Sequence, residues 1–351
     1  MKQIWRKVVL DPEATLRQAI KVLADVGIRI VVVADTSDRL LGVLTDGDIR
    51  RALLRQVDME AKISEVMNSR PQTAKVGESR ESIRAKMEHH SLLQLPIVDH
   101  EGRIVGLEAY HQQTTTPVRD NWVFLMAGGL GTRLRPLTDN CPKPMLLVGG
   151  KPILERILEG LISAGFHRFY ISIYYLPKMI KAHFGDGSRW GVTILYVEEH
   201  TPLGTGGALA LLPEVGSEPI LVMNGDVLTY LDFNALIDFH LTQQPALTIC
   251  VREYEFQVPF GVVEGNGILV TKIVEKPIHR FFVNAGIYVL SSEVVCRNHQ
   301  PRCISMPDLI EEMISRSDRV TMFPIHEYWL DVGRPDDYAS VRDTGKAKGD
   351  N

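Results

Sequence analysis

The stretch Leu125-Met126-Ala127-Gly128-Gly129-Leu130-Gly131-Thr132-Arg133-Leu134-Arg135-Pro136-Leu137-Thr138 decides the fold. It follows an apolar run, 122–126, that reads as a strand. Its three glycines let the backbone approach a phosphate chain and turn N–H groups toward it, and Arg133 supplies a bidentate cation. It is not a Walker loop, because no Lys-Ser/Thr follows, and the G-x-G-x-x-G spacing fails as well. Downstream, strands alternate with helices: helix 153–164, strand 168–173, helix 177–184, strand 193–197, helix 205–212, strand 219–224, helix 234–243. Short connections between alternating elements predict a mostly parallel, doubly wound, Rossmann-like α/β sheet across 122–343, with ligands gathered at the carboxyl ends of its strands. Residues 344–351 form a polar tail.

Upstream, the first 115 residues repeat themselves. Asp35 to Val43 (DTSDRLLGV) returns 64 residues later as Asp99 to Leu107 (DHEGRIVGL), and Leu16-Arg17 returns at an offset of 67 as Ile83-Arg84, so a three-residue indel is expected between the copies. Each copy reads as helix, strand, turn, strand, which predicts an α+β repeat at 1–57 and another at 58–115. The Thr-rich stretch after His111, ending in 116–121, reads as a linker.

Composition narrows the function. Of the 351 residues, 45% are hydrophobic and 23% charged, and 39 Lys and Arg face 43 Asp and Glu. A net charge of −4 argues against nucleic acid as partner. No apolar run reaches the ~18 residues that cross a bilayer, and the N-terminus lacks a signal-peptide core, so a cytoplasmic protein is expected. The four cysteines form no C-x-x-C pair and the eleven histidines show no metal spacing, which disfavours a zinc site, a disulfide scaffold and a His-partnered nucleophile.

Across about 225 residues the second half resembles the sugar nucleotidylyltransferases, which join a sugar 1-phosphate to a nucleoside triphosphate and release pyrophosphate. Seven segments after the glycine loop follow that family's order: Cys141-Pro142-Lys143-Pro144-Met145, Leu203-Gly204-Thr205-Gly206-Gly207, Asn224-Gly225-Asp226, Phe260-Gly261-Val262-Val263, Val274-Glu275-Lys276-Pro277, Asn284-Ala285-Gly286-Ile287-Tyr288 and Trp329-Leu330-Asp331-Val332-Gly333-Arg334-Pro335. Any one of them has an ordinary structural explanation, since Gly-Asp is a common turn and Glu-Lys-Pro a common solvated edge; together they do not. The resemblance implies that Arg133 and Lys143 hold the triphosphate and Lys276 the sugar phosphate. It further implies that Asp226 and Asp331 hold Mg²⁺, a hard ion suited to carboxylate and phosphate oxygens. Met126, Gly128, Gly129, Gly131, Thr132, Glu199, Pro202, Gly204 and Thr205 are then the nucleotide contacts, and Gly261, Glu275, Asn284 and Gly286 the sugar contacts.

The repeats resemble a tandem pair of CBS domains, which often bind adenine nucleotides and regulate an attached enzyme. Thr45 and Asp48, in Gly42-Val43-Leu44-Thr45-Asp46-Gly47-Asp48, match that family's phosphate and ribose contacts, with helix capping as the competing role. The second copy, Gly106-Leu107-Glu108-Ala109-Tyr110, has no Asp in register. A CBS pair ahead of a transferase is similar to the glucosamine-1-phosphate guanylyltransferases of nonulosonate (legionaminic acid) pathways, and CBS pairs imply a homo-oligomer. GTP is favoured because Glu stands at 199 where uracil- and thymine-using relatives typically carry Gln. A carboxylate only accepts, and guanine alone offers two adjacent donors. Strand alternation allows either Glu198 or Glu199, not both, to face the base. UTP or dTTP use, or a catalytically silent regulatory subunit, are the alternatives.

Overall fold

A computed structural model describes residues 4–110, 118–213, 216–297 and 300–343. The expected polar tail and most of the Thr-rich linker stretch lie outside them. The chain divides into one unit of Met1–Thr115 with Glu255–Arg280 and another of Thr116–Tyr254 with Phe281–Asn351.

In the first unit the two halves share a plan at a single offset of 64. Helix Leu16–Val26 is matched by Arg80–His89, strand Ile30–Ala34 by Gln94–Val98, and strand Leu40–Thr45 by Ile104–Ala109. The helix N-caps Thr15 and Ser79 keep that spacing, as do the buried pairs Ala19/Ile83 and Leu23/Met87. The expected indel is therefore absent. The Leu-Arg match at 67 was a coincidence of dipeptides, whereas the register is set by which helix positions face the core. Each turn between strands is fastened alike: Asp35 Oδ1 accepts from the amides of Ser37 and Arg39, and Asp99 Oδ1 from those of Glu101 and Arg103. The two turns also bond each other, Leu40 N–H to the Gly102 carbonyl and Ile104 N–H to the Asp38 carbonyl.

The second unit is built on a seven-stranded sheet ordered Thr193–Glu198, Phe166–Ile173, Arg119–Met126, Ile220–Asn224, Ile278–Leu290, Leu247–Gln257, Val320–Ile325. The first four run parallel, Ile278–Leu290 pairs antiparallel with Ile220–Asn224, and Leu247–Gln257 is parallel to Val320–Ile325. The mostly parallel doubly wound sheet read from the sequence is thus present. Both faces are covered at its centre, so Ile220–Asn224 and the end of Arg119–Met126 are apolar on both sides. In Arg119–Met126, Val123 and Leu125 join the cluster roofed by helix Ile153–Ser163, while Phe124 points the other way, toward helix Met306–Ser315. That strand begins at Arg119 rather than 122. Asn121 is buried with its amide on the Pro219 carbonyl, and Arg119 reaches Asn234 and Asp238, which draws the expected linker end into the sheet. The expected helix 205–212 is a single turn, Gly204–Gly207, followed by 3-10 turn Ala208–Leu211, because three glycines weaken a longer helix.

Candidate active site

The carboxyl ends of Arg119–Met126 and Ile220–Asn224 open side by side, and the glycine loop lies between them and Glu199. A Cβ on Gly128 would stand 2.6 Å from Glu199 Oε1 and displace that carboxylate, and one on Gly225 would stand 2.8 Å from the Met126 carbonyl, backbone that leaves no room for it. Gly131 adopts φ +64°, and the space where its Cβ would go is taken by Thr138 and Lys143. The Thr138 hydroxyl donates to the Gly131 carbonyl at 2.8 Å, which holds the loop over Lys143.

Asp226 and Asp331 are brought together by a short antiparallel ladder, Val227–Thr229 against Trp329–Asp331, in which Val227 pairs with Asp331. The Val332 amide donates to the Asp226 carbonyl, and the Trp329 indole N–H to the Ala285 carbonyl at 2.8 Å. Lys143 Nζ donates to Asp226 Oδ2 and lies 3.8 Å from Asp331 Oδ1. Asp226 Oδ1 and Asp331 Oδ1 are buried without a hydrogen-bond partner. Burial, together with the nearby charge of Asp226, pushes the Asp331 carboxyl above the usual carboxylate range, while Lys143 and Arg133 pull the other way. Two half-buried carboxylates, each with one buried oxygen that lacks a hydrogen-bond partner, make a hard, anionic donor pair of the kind that would suit Mg²⁺. Arg133, on the exposed turn Thr132–Leu134, adds a cation within electrostatic reach of Asp331.

Of the two adjacent glutamates, Glu199 faces inward. Its Oε2 accepts from the Leu203 amide at 3.0 Å, and its carboxylate shares a hydrogen bond with the Ser172 hydroxyl. Burial pushes the Glu199 carboxyl up, and those two hydrogen bonds pull it back. Glu198 points to solvent and pairs with Lys181. Ser172 itself escaped the sequence reading. The signal was a single hydroxyl at the carboxyl end of the apolar strand Phe166–Ile173, where its Oγ also accepts from the Ala127 amide at 3.3 Å.

Other expected contacts serve packing in this structure. Gly204, Gly206 and Gly207 lie against the backbone of Arg302, Ile304 and Ser305, and the Thr205 hydroxyl accepts from the Met306 amide. Pro202 is exposed beside them. Gly286, at φ +71°, lies against Asn224, and Asn284 bonds the Tyr288 hydroxyl and the Gly286 amide. Gly261, Glu275 and Lys276 fall in the first unit, on a segment whose strands Val262–Asn266 and Leu269–Val274 form a hairpin. There Glu275 Oε2 would lie 2.9 Å from a Cβ on Gly261. Also in the first unit, Thr45 Oγ1 donates to Asp48 Oδ2 at 2.6 Å, the Thr45 amide donates to the same oxygen, and Arg51 holds Oδ1. These are helix-capping contacts.

Residues 123–347 match the Nucleotidyl transferase family, and residues 2–55 and 63–107 match the CBS domain. The chain belongs to the nucleotidyl transferase family. As a nucleotidyl transferase it is 34% identical over 222 residues to a mannose-1-phosphate guanylyltransferase of Mycobacterium tuberculosis, and 34% identical over 224 residues to a mannose-1-phosphate guanyltransferase of Schizosaccharomyces pombe. Each match takes in 61% of this chain and 61% of the relative, so the chain spans under two thirds of their length. Among solved structures it is similar to HddC from Yersinia pseudotuberculosis, crystallised with GMP-PN. That match has a TM-score of 0.52 and 28% identity, and takes in 64% of this chain and all of that one.

Proposed function

We propose that this nucleotidyl transferase is a sugar-1-phosphate guanylyltransferase, moving GMP from GTP to a hexose or hexosamine 1-phosphate and releasing pyrophosphate. The carrying observation is the pair Asp226 and Asp331, each with a buried oxygen that has no hydrogen-bond partner, beside Lys143 and Arg133 at the foot of a glycine loop. In the reaction a sugar-phosphate oxygen bonds to the α-phosphorus of GTP while the bond to the bridging oxygen of the β-phosphate breaks. Anions must therefore be gathered and the departing charge balanced. Asp226 and Asp331 would hold Mg²⁺, which would supply charge neutralisation on the phosphates. Lys143 and Arg133 steady the triphosphate, and loop backbone N–H groups from Gly128 to Thr132 line its path. Lys276 takes the sugar phosphate, with Gly261, Glu275, Asn284 and Gly286 around the sugar, on family resemblance. Glu199 reads guanine: it is the inward member of its pair, and its carboxylate accepts from two donors on one edge of the base.

The CBS-first order favours glucosamine 1-phosphate, as in the nonulosonate guanylyltransferases it resembles, while the curated relatives carry mannose 1-phosphate in their names. We read the CBS pair as a regulatory nucleotide site at Thr45 and Asp48, where a ligand takes over the capping contacts. A cytoplasmic homo-oligomer accords with the family, and among the described residues no helix is long and apolar enough to cross a membrane. The test is a pyrophosphate-release screen of four nucleoside triphosphates against mannose, glucose and glucosamine 1-phosphates. Turnover with GTP and one of these sugars is expected. Preference for UTP or dTTP overturns the base assignment, and no turnover with any pair overturns the activity.

A further inference from the structure

Within the first unit, the segment Glu255–Arg280 is joined to the CBS pair by a run of alternating charges, through Arg17 of the first repeat and through Asp58 and Glu60 at the junction between the repeats. Glu60 pairs with Arg17 at 2.7 Å, Arg17 lies 4.0 Å from Glu255, Glu255 pairs with Arg280 at 2.9 Å, and Arg280 pairs with Asp58 at 2.9 Å. The junction presents its acids on a fixed frame, because the amides of Leu16 and Arg17 donate to the carbonyls of Ala61 and Met59, and Asp58 Oδ1 accepts from the Glu60 amide. On the other side, the Glu255–Arg280 pair ties together the two chain segments that flank the hairpin. A few residues along, the Val258 amide donates to the Pro277 carbonyl and Gln257 Nε2 to the Lys276 carbonyl. Lys276 sits there at φ +46°, a left-handed backbone that a lysine keeps only when its surroundings hold it.

We propose that Arg280 is a positioning residue for Lys276: by gripping Asp58 and Glu255 together it locks the base of the hairpin to the CBS pair, at the junction of its two repeats, and so fixes the lysine that takes the sugar phosphate. This rests on the reading of Lys276 given above. It assigns the CBS pair a definite point of action, the sugar side of the reaction and not the nucleotide side. A lone exposed ion pair contributes little, but Arg280 is the more buried member and serves two carboxylates from different chain segments, so its loss frees both.

The experiment uses the full-length chain and pyrophosphate release, varying GTP and the sugar 1-phosphate separately. Arg280→Ala and Asp58→Ala are each expected to raise KM for the sugar 1-phosphate about 3- to 10-fold and leave KM for GTP within about twofold. Arg280→Lys should restore most of the loss. The double variant should be no worse than the worse single one, since both remove the same link. An unchanged sugar KM in both single variants, or equal rises in both KM values, overturns the proposal. Lys276→Ala separates the two layers: if it leaves sugar KM untouched, the lysine assignment itself fails and the positioning role falls with it. If Lys276→Ala raises sugar KM while the Arg280 and Asp58 variants do not, only the positioning role is wrong.

Discussion

Asp226 and Asp331 stand 105 positions apart in the chain, yet one short ladder makes them neighbours, and Lys143 alone does not satisfy both. In the proposed metal role, replacing either with Ala would remove a ligand from the ion that offsets phosphate repulsion. A loss of several kcal/mol, about 10² to 10⁴ in turnover, is expected in steady-state assays, and Asn should recover little because it lacks the charge. Near wild-type turnover in both folded variants contradicts the metal assignment. Glu199→Gln should narrow the preference for GTP over UTP. A bidentate carboxylate–guanine pair contributes ~1 to 3 kcal/mol, roughly 5- to 150-fold in kcat/KM. Competition assays with both nucleotides read this directly, and an unchanged ratio counts against Glu199. These residues were legible in the sequence because each sits in a short motif at a strand end. Ser172 was not, since its meaning depends on two partners, Ala127 and Glu199, from distant segments.

Elements were readable where one force governs them. The strand Arg119–Met126 is apolar on both faces and could be placed from that alone, apart from its first residues, which long-range side-chain bonds draw into the sheet. The expected helix 205–212 gives way to one short turn at Gly204–Gly207 and a 3-10 turn at Ala208–Leu211. The glycines answer to the close backbone of 302–305, which no local pattern reveals. Helix Phe233–Gln243 carries a consequence of such packing. His240 is 2% exposed, its Nδ1 lies 2.8 Å from the Thr248 hydroxyl, and burial pushes its pKa from 6.5 down to about 4. The unfolded chain therefore binds one more proton than the native chain between those values. Stability is full above pH 6.5 and falls as pH drops toward 4, by about 3 kcal/mol in all. Urea unfolding at several pH values should show that slope, and His240→Leu should flatten it. An identical slope in the variant would mean that other groups carry the acid sensitivity.

At the scale of the molecule, the sequence divides at the linker, whereas contacts assign the segment Glu255–Arg280 to the unit of the CBS repeats. An insertion between two strands keeps its place in the chain order whichever surface it settles on, so no composition shift marks it. Deleting residues 1–115 removes Arg17, Asp58 and Glu60 at one stroke. The shortened chain, starting at Thr116, keeps Arg133, Lys143, Asp226 and Asp331 and should still release pyrophosphate, with a KM for the sugar 1-phosphate raised at least 3-fold and a GTP KM close to that of the full chain. Complete inactivity of a folded, monodisperse fragment would show that the CBS pair does more than position.

The paired turns at Asp35 and Asp99 carry a history as well as a joint. Each copy holds both halves of the bond set that ties the turns together, an amide at Leu40 or Ile104 and a carbonyl at Asp38 or Gly102. Two separate chains, each with a single copy, can therefore build the same two-fold joint that the fused pair now builds within one. Tandem duplication of such a gene would have turned a meeting between molecules into a contact within one chain, independent of concentration. Each copy would then have been free to drift, in keeping with an Asp48 in the first repeat that has no counterpart in the second.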